Sequence, residues 1–573
     1  MAVEWWTVVS GLVVGAALVL AVWWRRYSTR FARQGVPYVP PLPLVGNMLD
    51  VVLARRSMHD VIIELYNKFE PHAYGGGYSF AVSMVMIRDP EIIRAVTVKD
   101  FDHFTDHADF INSEKVNPIQ QRMLIILKEQ LLYYGEESPD TFEQQQKSTR
   151  HAYRLADIPE QETELFPDFM LSMYLMPATI IEAVASRNAS NILDQKPRKE
   201  WHDVRTTLSP AFTSMKMKNM FVLMTEIGQQ MVDYLWKETA VYKASSSKDD
   251  VLTVETKDFF TRITNDVIAT SAFGVKVDSL SDPENLFYCM GRELTNIRVT
   301  AAIGYMLFPS LMVLLGIPFV STKAIEYFKS VVWETIETRE KQGIVRPDML
   351  HLLMQARRGE LAADEGEKDG AAGHKARRLT DEDVAAQAMI FFFAGFDTVS
   401  TVLTFCSYLL AAHEDVQQRL QREVDELMQK SGGQPSYEQV MGCQYLDMVL
   451  SETLRMYPPL SALDRQCVRP YRLPATETCP GIDLRPGDVI WLPIRAIHFD
   501  PKYYTEPERF DPERFSPENK HLIKPFTYCP FGSGPLHWPE VRDDGDEGAV
   551  GVLPLPLQFP VGLQDAGAPR DQT

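Results

Sequence analysis

The stretch from Thr380 to Ala411 constrains the fold more than any other part of the chain. Thr380-Asp-Glu-Asp383 has the spacing of a capping box, in which a hydroxyl and a carboxylate three residues apart satisfy free amides at a helix start. The text then stays apolar to about Ala411, which as one helix would run roughly 45 Å, long enough to cross a whole domain. The middle and second half read as long amphipathic helices separated by charged connectors, Lys248-Asp249-Asp250 and the stretch from Glu360 to Arg378. Strands are few: Phe80–Ile87, Ile482–Leu484 and Val489–Leu492, with turns at Pro474 and Pro486-Gly487. No internal repeat is present. The expectation is a mainly α protein.

Composition narrows the class further. With 573 residues and 45% apolar content the chain can bury a large core, which excludes a disordered tail. Its six cysteines (Cys289, Cys406, Cys443, Cys467, Cys479 and Cys529) show no CxxC pairing, which argues against a zinc module and fits a reducing compartment. A net charge of −19 argues against nucleic acid as a partner of the whole chain.

The N-terminus points to a membrane. Trp5 to Trp24 is twenty residues without a charge, about 30 Å as a helix, with tryptophan pairs at both ends. A cleaved secretory signal is the competing reading. The basic residues, however, follow the apolar run (Arg25, Arg26, Arg30, Arg33) rather than precede it. That order predicts an uncleaved anchor over 1–24, with everything after it cytoplasmic. The Asn188-Ala-Ser190 sequon would then face the side of the membrane without glycosylation. Residues 25–46, basic and then rich in proline (Pro37, Pro40, Pro41, Pro43), read as a stiff spacer. Residues 302–320 are apolar but interrupted by Gly304, Pro309, Gly316 and Pro318, which suits buried or membrane-touching helices.

Five short motifs carry the chemistry. Phe391-Phe-Phe-Ala-Gly-Phe-Asp-Thr-Val-Ser400 puts Gly395 in a helix interior, where glycine costs about 1 kcal/mol relative to alanine. An Ala-Gly pair there admits a close neighbour, with an acid and a hydroxyl beside it. Ser451-Glu-Thr-Leu-Arg455 sets Glu452 and Arg455 three apart on one helix face, where they can pair. Alone, such a pair is usually a surface one. Phe510-Asp-Pro-Glu-Arg-Phe515 adds Arg514 beside a proline-constrained turn. Pro530-Phe-Gly-Ser-Gly-Pro535 is a glycine loop able to bring amides close to a ligand. Trp201-His-Asp-Val-Arg205 spaces two donors four apart, able to reach one anion.

In this order, with anchor and hinge, these elements resemble the microsomal cytochromes P450, the haem-thiolate monooxygenases. Lys99-Asp-Phe-Asp-His-Phe-Thr-Asp-His107 and Leu208-Ser-Pro-Ala-Phe212 further resemble the insect branch that oxidises foreign compounds. The resemblance covers roughly residues 1–112 and 193–535. It implies a cytochrome P450 fold with a small β-rich lobe, occupying 47–535. It also implies a haem b cofactor with its iron, O2, and electrons from NADPH through NADPH-cytochrome P450 reductase, with cytochrome b5 as a further partner. The substrate would be an apolar small molecule and the location the endoplasmic reticulum membrane. Carried onto this sequence, Asp397 and Thr398 would serve oxygen activation and proton delivery, with Ala394 and Gly395 making room for dioxygen. Trp201, Arg205 and Arg465 would hold the haem propionates, and Phe531, Gly532 and Gly534 would shape the loop against the cofactor. Glu452, Arg455 and Arg514 would form a structural charge network.

Two departures stand out. The family pattern continues Phe-Gly-x-Gly-Pro-Arg-x-Cys-x-Gly, its cysteine ligating the iron and pushing electron density that favours O–O cleavage. Here Leu536-His-Trp-Pro follows Pro535, the last cysteine is Cys529 before the loop, and His537 falls one position short of the ligand's place. Shifting the reading by one base permits Leu536 onward to spell Cys-Ile-Gly-Arg-Lys-Phe, and the Trp538-Pro539 step forces the glycine. Residues 536–573 are therefore expected to be out-of-frame translation. The second departure is 113–192, longer than the family needs between its motifs and read as an insertion, against the plainer reading of a long surface loop. The expected activity is insertion of one oxygen atom of O2 into an apolar substrate. The alternatives are an inactive or misfolded product lacking the thiolate, and a non-redox binder of apolar ligands.

Overall fold

A computed structural model describes residues 15, 21–53, 55–80, 82–104, 214–245, 252–296, 301, 304–305, 309–359, 378–459 and 461–532. Most of the anchor, the 113–192 stretch, Trp201, Arg205, Gly534 and the tail from Leu536 lie outside them.

The described chain is mostly helical. After α1 (Met58–Lys68), the larger helices are α2 (Ser214–Ser245), α3 (Thr256–Ile268), α4 (Leu286–Thr295), α5 (Thr322–Gln342) and α6 (Met349–Arg358). These are followed by α7 (Asp381–Phe396), α8 (Thr398–Ala412), α9 (Glu414–Lys430), α10 (Gln444–Met456) and the short α11 (Ile494–His498). The capping box at Thr380 forms as the sequence predicts: its hydroxyl accepts from the Asp383 amide at 3.2 Å, and the Asp383 carboxylate accepts from the Thr380 amide at 2.9 Å. The single 45 Å helix does not. It breaks at Asp397, whose φ of −108° separates α7 from α8. Taken together, Asp381–Ala412 is long and apolar enough to cross a membrane, but 67% of its most apolar window is buried inside the protein. It is a core helix.

The β-lobe joins distant parts of the chain. β1 (Tyr74–Ser79), β2 (Val82–Ile87), β3 (Leu463–Gln466) and β6 (Val489–Leu492) form one sheet in the order β1-β2-β6-β3, and β4 (Tyr471–Leu473) pairs with β5 (Ile482–Leu484). The β2–β6 pair is parallel, with Val85 opposite Ile490; the others are antiparallel. β5 and β6 match the sequence expectation, β2 matches most of the Phe80–Ile87 expectation, and β1, β3 and β4 are additional. The segment after the anchor is docked on this lobe rather than standing off as a spacer. Phe31 is buried, Arg30 pairs bidentately with Asp488, Tyr78 donates from its hydroxyl to the Tyr27 carbonyl, and the Gly76 amide donates to the Pro37 carbonyl at 2.8 Å. Burying one aromatic ring contributes about 2 kcal/mol, enough to favour docking over free motion. The short helix Pro309–Leu314 and the turn after it leave Leu311, Leu314, Leu315 and Ile317 exposed.

Candidate functional site

The break at Asp397 has a visible cause. Lys257, in the first turn of α3, inserts its ammonium between α7 and α8. It donates to the Asp397 carboxylate at 2.5 Å, the Asp397 carbonyl at 3.2 Å, Ser400 Oγ at 2.9 Å and Thr401 Oγ1 at 2.7 Å. The Lys257 side chain is only 15% exposed, and its three N–H donors, shared among four acceptors, leave the ammonium well satisfied and paired with the Asp397 carboxylate. Thr398 donates its hydroxyl to the Ala394 carbonyl, back-bonding within the broken turn. Ser400 and Thr401 each donate to the Asp397 carbonyl in turn.

Gly395 is used for packing. A Cβ there would meet Ile268 Cδ1 at 2.6 Å, so the end of the Ile268 side chain on α3 packs directly over the α7 backbone at this position. Replacing Lys257 by Met should leave Asp397 without its cation and free α7 and α8 to join. The expected loss is about 2 kcal/mol, since hydrogen bonds to charged groups contribute about 1.5–3 kcal/mol each and the site is not fully buried. Urea unfolding of the parent and variant measures it, and an unchanged midpoint would mean the ammonium does not hold the break.

The second cluster is built on α10. Glu452 and Arg455 are both fully buried. The guanidinium donates to Glu452 at 2.7 and 2.8 Å, to the His498 carbonyl at 2.9 Å and to the Pro507 carbonyl at 2.7 Å. Glu452 accepts a further bond from the Asp511 amide at 3.0 Å and lies 3.4 Å from Arg514 Nε. Arg514 in turn donates to the Glu506 carbonyl at 2.9 Å. Burial pushes the Glu452 carboxyl upward, against the pull of Arg455, the Asp511 amide and Arg514. One ion pair thus fastens α10 to α11 and to the irregular segment 506–514. It is not a surface pair.

The remaining residues are placed as follows. Arg465 lies half-buried on β3, donating to the Asp464 carbonyl at 3.0 Å. Phe531 is partly exposed, and Gly532 has φ +88° with its amide on the Cys529 carbonyl at 2.9 Å. A Cβ on Gly532 would meet Leu463 Cδ1 at 2.6 Å, so the glycine loop is seated on β3. Sequence reasoning missed Lys257 and His498. Lys257 carries no local signal, because its four acceptors lie about 140 residues away.

The model of the cytochrome P450 family matches residues 177–536. Cytochrome P450 9e2 of Blattella germanica is 41% identical over 92% of this chain and 87% of its own length. Probable cytochrome P450 9f2 of Drosophila melanogaster is 34% identical over 92% and 88%, and cytochrome P450 6k1 of Blattella germanica is 33% identical over 92% and 86%. Together with the helical fold and its buried charge network, these matches define a monooxygenase scaffold similar to insect cytochromes P450. The chain belongs to the cytochrome P450 family.

Members of that family generally work through haem and O2, and the axial position needs a thiolate. The donor set here does not fit. All six cysteines are among the described residues, and none follows Gly532. Burial pushes the Cys406 and Cys467 thiols up to about 11, which keeps them protonated. Cys443 and Cys479 are also buried, Cys289 lies partly buried on α4, and Cys529 precedes the loop.

Proposed function

We propose that the gene encodes a membrane-bound monooxygenase that inserts one oxygen atom into an apolar small molecule, a foreign compound or an endogenous lipophile. In the complete reading its electrons come from NADPH through a reductase, with cytochrome b5 as a second donor, and its cofactor is haem b. The buried Glu452–Arg455–Arg514 network carries this reading, because it fixes the segment that leads into the glycine loop in a sequence already matched to the family along most of its length. Arg465, Trp201 and Arg205 are the residues proposed for the propionates, and Asp397 with Thr398 for proton delivery. For Asp397 to act, its carboxylate must leave Lys257.

The domain occupies 47–535 in this reading. Residues 536–573 are proposed to be out-of-frame translation, supported by the family match ending at Leu536. The 113–192 stretch is proposed as an insertion, within which that match begins, at residue 177. The uncharged run 5–24, the arginines after it and the exposed apolar turn at 311–317 support attachment to the endoplasmic reticulum membrane, with the globular part cytoplasmic.

Reduced carbon-monoxide difference spectra test the proposal on two proteins: the chain as written, and the chain read one base out of phase from Leu536. The first should show no thiolate-type band and the second should show one. A thiolate-type band from the chain as written would overturn the assignment of the tail. Absence of the band from both would overturn the shifted frame.

A further inference from the structure

The Cys529 amide donates to His498 Nε2 at 3.1 Å. An amide nitrogen can only donate, so Nε2 must be the unprotonated nitrogen of the ring. The proton then sits on Nδ1, which lies 3.0 Å from the Arg455 carbonyl and donates to it. The two contacts therefore select one neutral tautomer. His498 is fully buried at the end of α11, its ring stacked on Tyr528 at 5.6 Å. Its own carbonyl accepts from Arg455 Nη1, so residue and network are joined in both directions. The Gly532 amide bonds the Cys529 carbonyl, which places the imidazole at the entry to the glycine loop.

We propose that His498 is a positioning residue, a one-tautomer bridge that holds the Cys529–Gly532 loop against the Glu452–Arg455 network. Neither contact involves a cofactor, so the bridge stands whether or not the tail is translated in frame. Burial and two neighbouring cations oppose a second proton, and outweigh the Arg455 carbonyl, whose hydrogen bond favours it. α10 presents Arg455, whose charge is paired with Glu452, and α11 presents Arg495. Tyr504, Tyr528 and the Cys529 thiol complete the shell, with His59 of α1 beyond Arg495. Burial and the two guanidiniums push the His498 pKa down to about 3. A protonated ring would have no acceptor for the Cys529 amide, so adding the proton must release the loop.

The linkage has a definite sign. The closed loop holds the histidine neutral, while in a locally opened loop it regains a value near 6.5. Loop closure is therefore complete above pH 6.5 and is weakened as pH falls below it. Between pH 8 and pH 5 the open population should rise about thirtyfold, from the ratio of proton binding at a pKa near 6.5 to that near 3.

Amide hydrogen exchange on the full chain, corrected for intrinsic rates, reads this directly. In the parent, peptides covering 526–532 should lose about thirtyfold protection between pH 8 and pH 5, while those covering 444–456 keep theirs. Glutamine carries an acceptor and a donor on one neutral amide, so His498→Gln should hold the loop at both pH values. His498→Phe should open it at both. Parent protection at 526–532 that is flat with pH, or lost together with 444–456, overturns the bridge. So does a folded His498→Gln with the parent's pH response. If His498→Phe fails to fold, the parent and His498→Gln still decide the matter.

Discussion

Arg455→Leu should lose about 3–5 kcal/mol of folding free energy, the cost of leaving one partner of a buried ion pair behind. Glu452 is fully buried, and without the guanidinium its charge keeps only the Asp511 amide and the more distant Arg514. The His498 and Pro507 carbonyls would also lose their donors. Against a total stability of about 5–15 kcal/mol, that loss is enough to deplete the folded form. Arg455→Lys should recover little, because an ammonium cannot reproduce the fork that binds both carboxylate oxygens and two carbonyls. The double variant Glu452→Leu with Arg455→Leu should be less damaged than Arg455→Leu alone, since no charge is then stranded. Urea unfolding of the three variants checks all of this. A single variant within about 1 kcal/mol of the parent would show that Glu452 finds another counter-charge.

Some of this site was legible and some was not, for physical reasons. The Glu452–Arg455 pair was readable because both partners lie one helical turn apart, but its burial was not, since that depends on α11 and the 506–514 segment closing over it. The start of α7 was readable from the Thr380–Asp383 capping box, whose partners are also local. The break at Asp397 was hidden, because its cause, Lys257, comes from another helix. β1 was hidden for the opposite reason. Its Gly75-Gly76-Gly77 run speaks against a strand, yet the glycines are what let the strand form here. A Cβ on Gly75 would strike the Phe69 ring at 2.2 Å, and one on Gly76 the Phe31 ring at 2.4 Å. The lobe's aromatic packing occupies the places where side chains would have stood. The tail differs again: its departure from the family was visible as text, because the missing cysteine belongs to a motif rather than to a packing arrangement.

Gly274→Ala should cost about 3–5 kcal/mol, and a comparison with Gly343→Ala separates the two sources of that loss. Both glycines end helical segments with positive φ, +70° after the turn that follows α3 and +66° after α5. An alanine in that region costs about 1–2 kcal/mol in either place. Around Gly343 nothing lies within 4 Å of an added Cβ, so its variant should show the backbone cost alone. Around Gly274 the added carbon would sit 1.9 Å from Arg339 Nη2 and 2.8 Å from Asp348 Oδ2. Those atoms belong to a buried bidentate pair, bonded at 2.8 and 2.5 Å, with side-chain exposures of 4% and 0%. Asp348 also caps α6 by accepting the His351 amide, and Arg346 donates to the Gly274 carbonyl at 3.1 Å. Displacing Arg339 therefore disturbs the ends of α3 and α5 and the start of α6 at once. Breaking such a pair costs more than backbone strain does, so Gly274→Ala should exceed Gly343→Ala by about 1–4 kcal/mol. Equal losses in thermal and urea unfolding would mean that the ion pair moves aside freely and that only the helix ends are felt.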